Sequence, residues 1–244
     1  MSLKIEPFKS DKDDIELRPF MRDNSIPKFP QSILLVGAGG SGKTTLFIRL
    51  MTNKDMYKNY YDFIFLFSVT AKLDDSFKKL KLKKEHIFDT EEEMIKNVQI
   101  IFESQKKNVE SMGISKSPKI LCVFEDLTTN ERLMKNEVFK SLWTLGRHVN
   151  IQVISMIHKY KALPRTARLQ AMNLIYFRGN NDETLQLVDD FTPGGHDKKE
   201  FLQLVNFATR PDENNKHNFL YMANKLPEKI RYRKTFEWIL ELKK

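Results

Sequence analysis

Residues 33–44 read Ile33-Leu34-Leu35-Val36-Gly37-Ala38-Gly39-Gly40-Ser41-Gly42-Lys43-Thr44, and this segment indicates the fold more clearly than the rest of the chain. Its part from Gly37 to Thr44 matches G-x-x-x-x-G-K-[ST], the pattern of a phosphate-binding loop. The apolar run before the loop predicts a buried strand, and the apolar spacing over 46–51 predicts a helix after it. Strand, loop and helix in this order aim backbone N–H groups and the positive end of a helix dipole at a phosphate.

Each part of this loop has an expected task. Its glycines let the backbone curl so that successive N–H groups point at phosphate oxygens. We expect Lys43 to reach the β- and γ-phosphates and the Thr44 hydroxyl to bind Mg²⁺. The residues predicted to bind ATP are Gly37, Ala38, Gly39, Gly40, Ser41, Gly42, Lys43, Thr44 and Thr45.

Length and composition describe a globular protein with one α/β domain. The chain has 244 residues, of which 41% are hydrophobic and 30% charged. We predict an irregular arm over residues 1–30, where four prolines deny a long helix, and a single P-loop ATPase domain over 31–244. No apolar stretch is long enough for a bilayer, and the N-terminus lacks the apolar core of a signal peptide. We therefore expect a soluble, intracellular product without membrane insertion.

The rest of the chain alternates apolar runs with helical patterns. Strands are predicted at 63–67, 119–124, 151–157, 174–177 and 219–222, and helices near 91–111, 131–146 and 197–207. This alternation predicts an α/β fold, in which a central, mostly parallel sheet has helices on both faces. The single cysteine, Cys122, lies within an apolar run and is expected to be a buried small hydrophobe, so the chain cannot form a disulfide framework.

An acidic pair, Glu125-Asp126, directly follows the strand predicted at 119–124. This is the form of a Walker B motif. Thr44, Glu125 and Asp126 are therefore the candidate metal-site residues, with one acid in the magnesium shell and its neighbour polarising the attacking water. The division of roles between the two acids stays open, and a solvated strand end is the alternative interpretation.

The next strand ends at His158, where P-loop motors usually carry a polar residue that senses the γ-phosphate. An ordinary surface histidine is the alternative. Ring-forming ATPases also complete the site with an arginine from a neighbouring subunit. Arg147 and Arg168 are the favoured candidates for that arginine, ahead of Arg165 and Arg178.

The net charge of +9 favours polyanionic partners, although a lysine-rich coding bias would give the same excess. Two basic segments, 78–84 and 225–234, are candidates for contacting DNA. In an extended strand Arg231 and Arg233 would share one face and form a stripe of charge. The alternative is an exposed edge strand that its cations protect against aggregation.

Taken in order, these motifs resemble the genome-packaging ATPases of double-stranded DNA viruses, the poxvirus-type branch of the FtsK–HerA superfamily. The matching segments are 37–44, 65–70, Glu125-Asp126, 146–151, and 158–165 with Arg168. The chain departs from the family pattern at two positions, since the family usually has Gln at the place of His158 and Asp at the place of Glu125.

The resemblance implies a RecA-like core and a homo-oligomeric ring, a hexamer or pentamer, that moves double-stranded DNA into a preformed capsid. It also implies capsid or portal-vertex proteins as partners, and the host-cell assembly site and virion vertex as locations. Two other functions remain open from the residues alone. One is a P-loop kinase with an acceptor pocket and a mobile lid, and the other is a nucleotide-gated interaction protein with little turnover.

Overall fold

The structure is a computed structural model that describes residues 17–71, 74–127, 130–213 and 215–242. Nine strands lie within these ranges: β1 (Ile33–Val36), β2 (Phe63–Ser68), β3 (Ile87–Phe88), β4 (Ile120–Glu125), β5 (Ile151–Ile157), β6 (Asn173–Phe177), β7 (Phe219–Ala223), β8 (Tyr232–Lys234) and β9 (Trp238–Leu240). They form a single sheet in the order β3-β2-β4-β5-β1-β6-β7-β8-β9.

The sheet is mostly parallel, as the sequence predicts. Strands β1 to β6 all run in the same direction, and the antiparallel pairs are β6 with β7, β7 with β8, and β8 with β9. Strand β5 lies between β1 and β4, so the carboxyl ends of these three strands lie side by side at one edge of the sheet. Strands covered on both faces can be apolar throughout, which explains the continuous runs of β4 and β5.

Helices cover both faces. They are α1 (Pro19–Arg22), α2 (Lys43–Thr52), α3 (Glu91–Met112), α4 (Glu131–Lys135), α5 (Glu137–Leu145), α6 (Arg165–Gln170), α7 (Asn181–Phe191), α8 (Lys198–Thr209) and α9 (Glu228–Arg231). The sheet separates two hydrophobic clusters, one that includes side chains of α3, α5, α7 and α8 and another that includes side chains of α2. Residues of β1 alternate between the two, with Leu34 in the first cluster and Leu35 in the second. The predicted α/β fold is confirmed.

Some local details of the structure differ from the predictions. The helix expected near 131–146 is two helices, because Asn136 ends α4 and its side chain accepts the backbone N–H groups of Val138 and Phe139 at the start of α5. Helix α7 was not predicted. Strand β2 is not buried along its length, since β3 pairs only with its last part and Phe63 remains 42% exposed.

The predicted stripe of Arg231 and Arg233 is wrong. Arg231 ends helix α9, and Arg233 is buried in β8, where it donates a hydrogen bond to the carbonyl of Phe236. Strand β8 is not an exposed edge either, since it pairs with β7 and β9. Residues 1–16 of the predicted arm lie outside the described residues. Among the described residues, no helix is long and apolar enough to cross a membrane.

Candidate functional site

The phosphate-binding loop connects the carboxyl end of β1 to the start of α2. Gly42 precedes the first helical residue with φ of 101°, a left-handed conformation that glycine adopts readily and other residues rarely. A Cβ at Gly37 would lie 2.8 Å from the Cβ of Phe177, so the loop packs against β6 too closely for a larger residue. Both positions explain why the pattern requires glycine.

The Lys43 side chain folds back into the loop that precedes it. Its Nζ donates to the carbonyls of Gly37 at 2.6 Å and Ala38 at 3.1 Å, so the buried ammonium is held on the inner side of the loop. Burial lowers the pKa of Lys43, and the carboxylates of Asp126 and Glu125 oppose that shift. The lysine is thus positioned by the same loop whose N–H groups would face a phosphate.

Glu125 lies buried at the end of β4, opposite the first turn of α2. Its Oε1 accepts a hydrogen bond from Thr44 Oγ1 at 3.3 Å, and its Oε2 accepts from Ser68 Oγ at 2.8 Å and Thr70 Oγ1 at 3.3 Å. Burial raises the pKa of Glu125, while these hydroxyl donors favour the ionised form. The carboxylate is thereby fixed beside the threonine hydroxyl that the loop pattern assigns to the metal.

Asp126 turns away from β4 and faces His158 at the end of β5. Its backbone has φ of 46°, and its N–H donates to the carbonyl of Met156. The Oδ2 of Asp126 lies 3.5 Å from Nε2 of His158, whose Nδ1 lies 3.3 Å from Nζ of Lys43. Adjacent acids therefore have different neighbours, Thr44 for Glu125 and His158 for Asp126.

A cavity of about 480 Å³ opens over these residues. Its lining includes Thr44, Thr45, Glu125, Asp126 and His158. No cluster of three His, Cys, Asp or Glu side chains that could hold a metal occurs in the part of the chain that the structure describes. Mg²⁺ typically takes one or two carboxylates and completes its shell with water and substrate phosphates, so a threonine hydroxyl and neighbouring acids fit Mg²⁺ delivered with a nucleotide.

The two favoured arginines lie in different surroundings, and neither is brought to this cavity. Arg147 is exposed in the turn before β5, at the opposite edge of the sheet from His158. The seven residues of β5 separate the two edges by about 20 Å.

Arg168 is 8% exposed, and its Nη1 lies 3.4 Å from Oδ2 of Asp190 while its guanidinium stacks over the ring of Tyr160. A guanidinium enclosed in this way pairs within its own chain, and the role of Arg168 in a neighbouring subunit stays a prediction. The exposed Arg165 reaches Asp190 only at 4.0 Å, and Arg178 is exposed beyond the carboxyl end of β6.

Sequence reasoning missed several residues of the site. Ser68 ends β2 beside β4 and Thr70 follows it by two residues, so the shared edge of parallel strands was an available signal for them. His217 carried no such signal: its Nδ1 lies 3.1 Å from the carbonyl of Ser41, which is 176 residues away in the sequence. Arg49 and Asn215 also line the cavity.

Comparison with known protein families finds a match over most of the chain. A family model described as Poxvirus A32 protein matches residues 18–229. A search of curated proteins finds no match.

Solved structures are similar in fold. The genome packaging NTPase B204 from Sulfolobus turreted icosahedral virus 2, in complex with AMP, has 15% identity and a TM-score of 0.54, over 80% of this chain and 94% of that chain. The pCW3 conjugation coupling protein TcpA, as a monomer with ATPγS, has 14% identity and a TM-score of 0.59, over 80% of this chain and 58% of that chain. These similarities show an α/β P-loop NTPase fold.

Proposed function

The chain belongs to the Poxvirus A32 protein family, and we propose that it is an ATP-hydrolysing motor that moves double-stranded viral DNA into a preformed capsid. The family, the resemblance of the motifs and the fold shared with the packaging NTPase B204 all support this function. The observation that carries the proposal is the meeting of Lys43, Thr44, Glu125, Asp126 and His158 at one edge of the sheet. A binding loop alone would need no second acid facing a polar residue.

The two acids have different roles in the proposed reaction. Glu125 lies against Thr44 and is held by hydroxyl groups, so it is suited to fixing the magnesium shell. Asp126 lines the cavity beside His158 and is suited to accepting a hydrogen bond from the attacking water. Bound Mg²⁺ would supply charge neutralisation at the β- and γ-phosphates. Lys43 would give its ammonium hydrogen bonds to the same phosphates in place of loop carbonyls.

A homo-oligomeric ring, hexameric or pentameric, completes the proposal. The exposed Arg147 lies too far from the cavity of its own chain to act there, so its role would be to reach the cavity of a neighbour. Residues 31–244 would form the single ATPase domain, which one continuous sheet supports. The partners would be double-stranded DNA and capsid or portal-vertex proteins, at the assembly site in the host cell and at the virion vertex.

DNA contact is assigned to the lysines of segment 78–84. Lys78, Lys79, Lys81, Lys83 and Lys84 are all exposed. The segment follows Asp74 and Asp75, which line a second opening of the site together with Glu125 and Asp126. Contacts to DNA phosphates at this segment could thus be transmitted to the hydrolysis site, and they would be independent of base sequence.

Steady-state ATP hydrolysis with and without long duplex DNA tests the proposal. If the protein is a motor, DNA should raise the rate of ATP hydrolysis several-fold, and Lys43→Ala should abolish hydrolysis. The triple variant K79A/K81A/K84A should hydrolyse ATP without being stimulated by DNA. The matched control is K106A/K107A, which removes two exposed lysines from α3 and should keep the stimulation. Tight ATP binding without turnover would favour an interaction protein, and hydrolysis that needs a small acceptor would favour a kinase.

A further inference from the structure

A second cavity, of about 590 Å³, lies beside the phosphate site and has no role in the proposed hydrolysis. We call it the aromatic groove. Its defining residues are Arg49, Phe207, Asn215, Phe219, Phe236 and Trp238.

The groove is continuous with the phosphate site. Arg49, Asn215 and Phe219 line both cavities. A row of rings connects the two cavities, with 5.3 Å between the centroids of Phe177 and Phe219 and 5.1 Å between those of Phe219 and Phe236. This row begins at Phe177, the residue against which Gly37 packs. A ligand held by the phosphate loop would therefore have an aromatic floor along one direction of exit.

Two rings of the groove face solvent. Trp238 is 66% exposed and Phe207 is 55% exposed, although both are large apolar side chains. Flat ligands with a π-system stack on such rings. The floor of the groove and its exposed rings together provide surfaces of the kind that a nucleobase needs.

Arg49 lies between the two cavities. It stands one helical turn after Thr45 on the same face of α2, which places it about 6 Å further along the helix axis. Its guanidinium makes no ion pair or hydrogen bond with another residue in the described ranges, and its side chain is exposed. It is therefore available to an anionic or hydroxylated ligand that extends from the loop into the groove.

We propose that the aromatic groove is the nucleoside subsite of the nucleotide site. The base lies against Trp238 and Phe207, and Arg49 contacts the ribose or the first phosphate. This assignment rests on the proposed function, because it takes the phosphates of the same ATP to lie on the loop. It predicts that the base adds affinity to that of the phosphates alone.

The test compares ATP with inorganic tripolyphosphate, which has the phosphates but no nucleoside, in equilibrium binding to the full chain. ATP should bind at least tenfold more tightly than tripolyphosphate to the unchanged protein. W238A should weaken the binding of ATP about tenfold and leave the binding of tripolyphosphate unchanged, because stacking on one ring contributes about that factor in affinity. W238F should retain the affinity. Phe63→Ala, which removes an exposed ring at the far end of β2, is the matched control and should change neither ligand.

Fluorescence gives an independent readout, because the chain has two tryptophans and Trp143 is buried. The fluorescence emission of Trp238 should change when ATP is added and should not change when tripolyphosphate is added. This change in emission should be absent in W238F.

Three outcomes would overturn the subsite. Equal affinity for ATP and tripolyphosphate would show that the base adds no binding affinity. An equal loss of both ligands in W238A would place the effect at the phosphates. A W238A protein with altered self-association and unchanged ATP affinity would assign the groove to a second copy of the chain. Failure of both ligands to bind would instead overturn the proposed function and the subsite together.

Discussion

The Nζ of Lys43 lies 3.3 Å from Nδ1 of His158. An ammonium has protons and no lone pair, so this contact requires that Nδ1 accept the hydrogen bond. The ring proton then lies on Nε2, which points towards Asp126. His158 in this tautomer connects the phosphate-binding lysine to the second acid of the pair.

His158 is expected to be replaceable by glutamine but not by alanine. A glutamine can accept from Lys43 through its carbonyl and donate to Asp126 through its amide, as the histidine does. H158A should lower kcat about 10²-fold with little change in KM, whereas H158Q should retain most of it. Steady-state hydrolysis of ATP measures both constants. Wild-type turnover in H158A would remove His158 from the mechanism.

Substitutions of the two acids should affect turnover and Mg²⁺-dependent ATP binding separately. Asp126→Asn keeps the size of the side chain and removes its charge, so it should lower kcat about 10³-fold while Mg²⁺-dependent ATP binding persists. Glu125→Gln should instead raise the Mg²⁺ concentration needed for half-maximal binding, because it alters the group beside Thr44. Titration of Mg²⁺ at fixed ATP measures this. The reverse pattern would exchange the two assignments.

Replacing Arg168 should lower the stability of the fold, whereas replacing Arg147 should lower ATP turnover. Arg168→Ala leaves the buried Asp190 carboxylate without its closest cation and should cost about 3 kcal/mol of unfolding free energy. Arg165→Ala, which removes a more distant and exposed partner of the same acid, is the matched control and should cost under about 1 kcal/mol. Denaturant unfolding of each variant measures the difference. Equal losses for the two variants would contradict the buried pair.

Arg147→Ala should leave unfolding unchanged within about 0.5 kcal/mol and abolish turnover only through a neighbouring subunit. Mixing R147A chains with Lys43→Ala chains should then restore part of the activity. At such mixed interfaces an intact Lys43 site would face an intact Arg147. No recovery in mixtures that demonstrably co-assemble would contradict a role in trans.

Cys122 should be unreactive until the protein unfolds. It is fully buried in β4, and burial raises the pKa of its thiol. A thiol reagent should therefore label the native protein no faster than global unfolding, and label the denatured chain at once. Rapid, stoichiometric labelling of the native protein would show that β4 is accessible.

Sequence was sufficient where the chemistry is local or lies at strand ends. The loop from Gly37 to Thr44 is one contiguous pattern, and its geometry follows from glycine and the helix start. Glu125 ends β4 and His158 follows β5, and they could be brought together because parallel strands end at the same edge.

Sequence was insufficient where distant segments decide the environment. The burial of Arg168 depends on Asp190 in another helix, and no local pattern distinguishes it from the exposed Arg165. His217 reaches Ser41 only through the fold. The expected stripe of Arg231 and Arg233 failed because α9 ends at Arg231, and because β9 pairs with β8 and covers what would have been an edge.

ATP-driven displacement of a third DNA strand from a long linear duplex measures translocation along DNA itself. We expect that the unchanged protein releases the strand in the presence of ATP and Mg²⁺, and that Lys43→Ala and Asp126→Asn do not. A protein that hydrolyses ATP in the presence of duplex DNA yet never displaces the strand, as an assembled oligomer at saturating ATP, would contradict translocation.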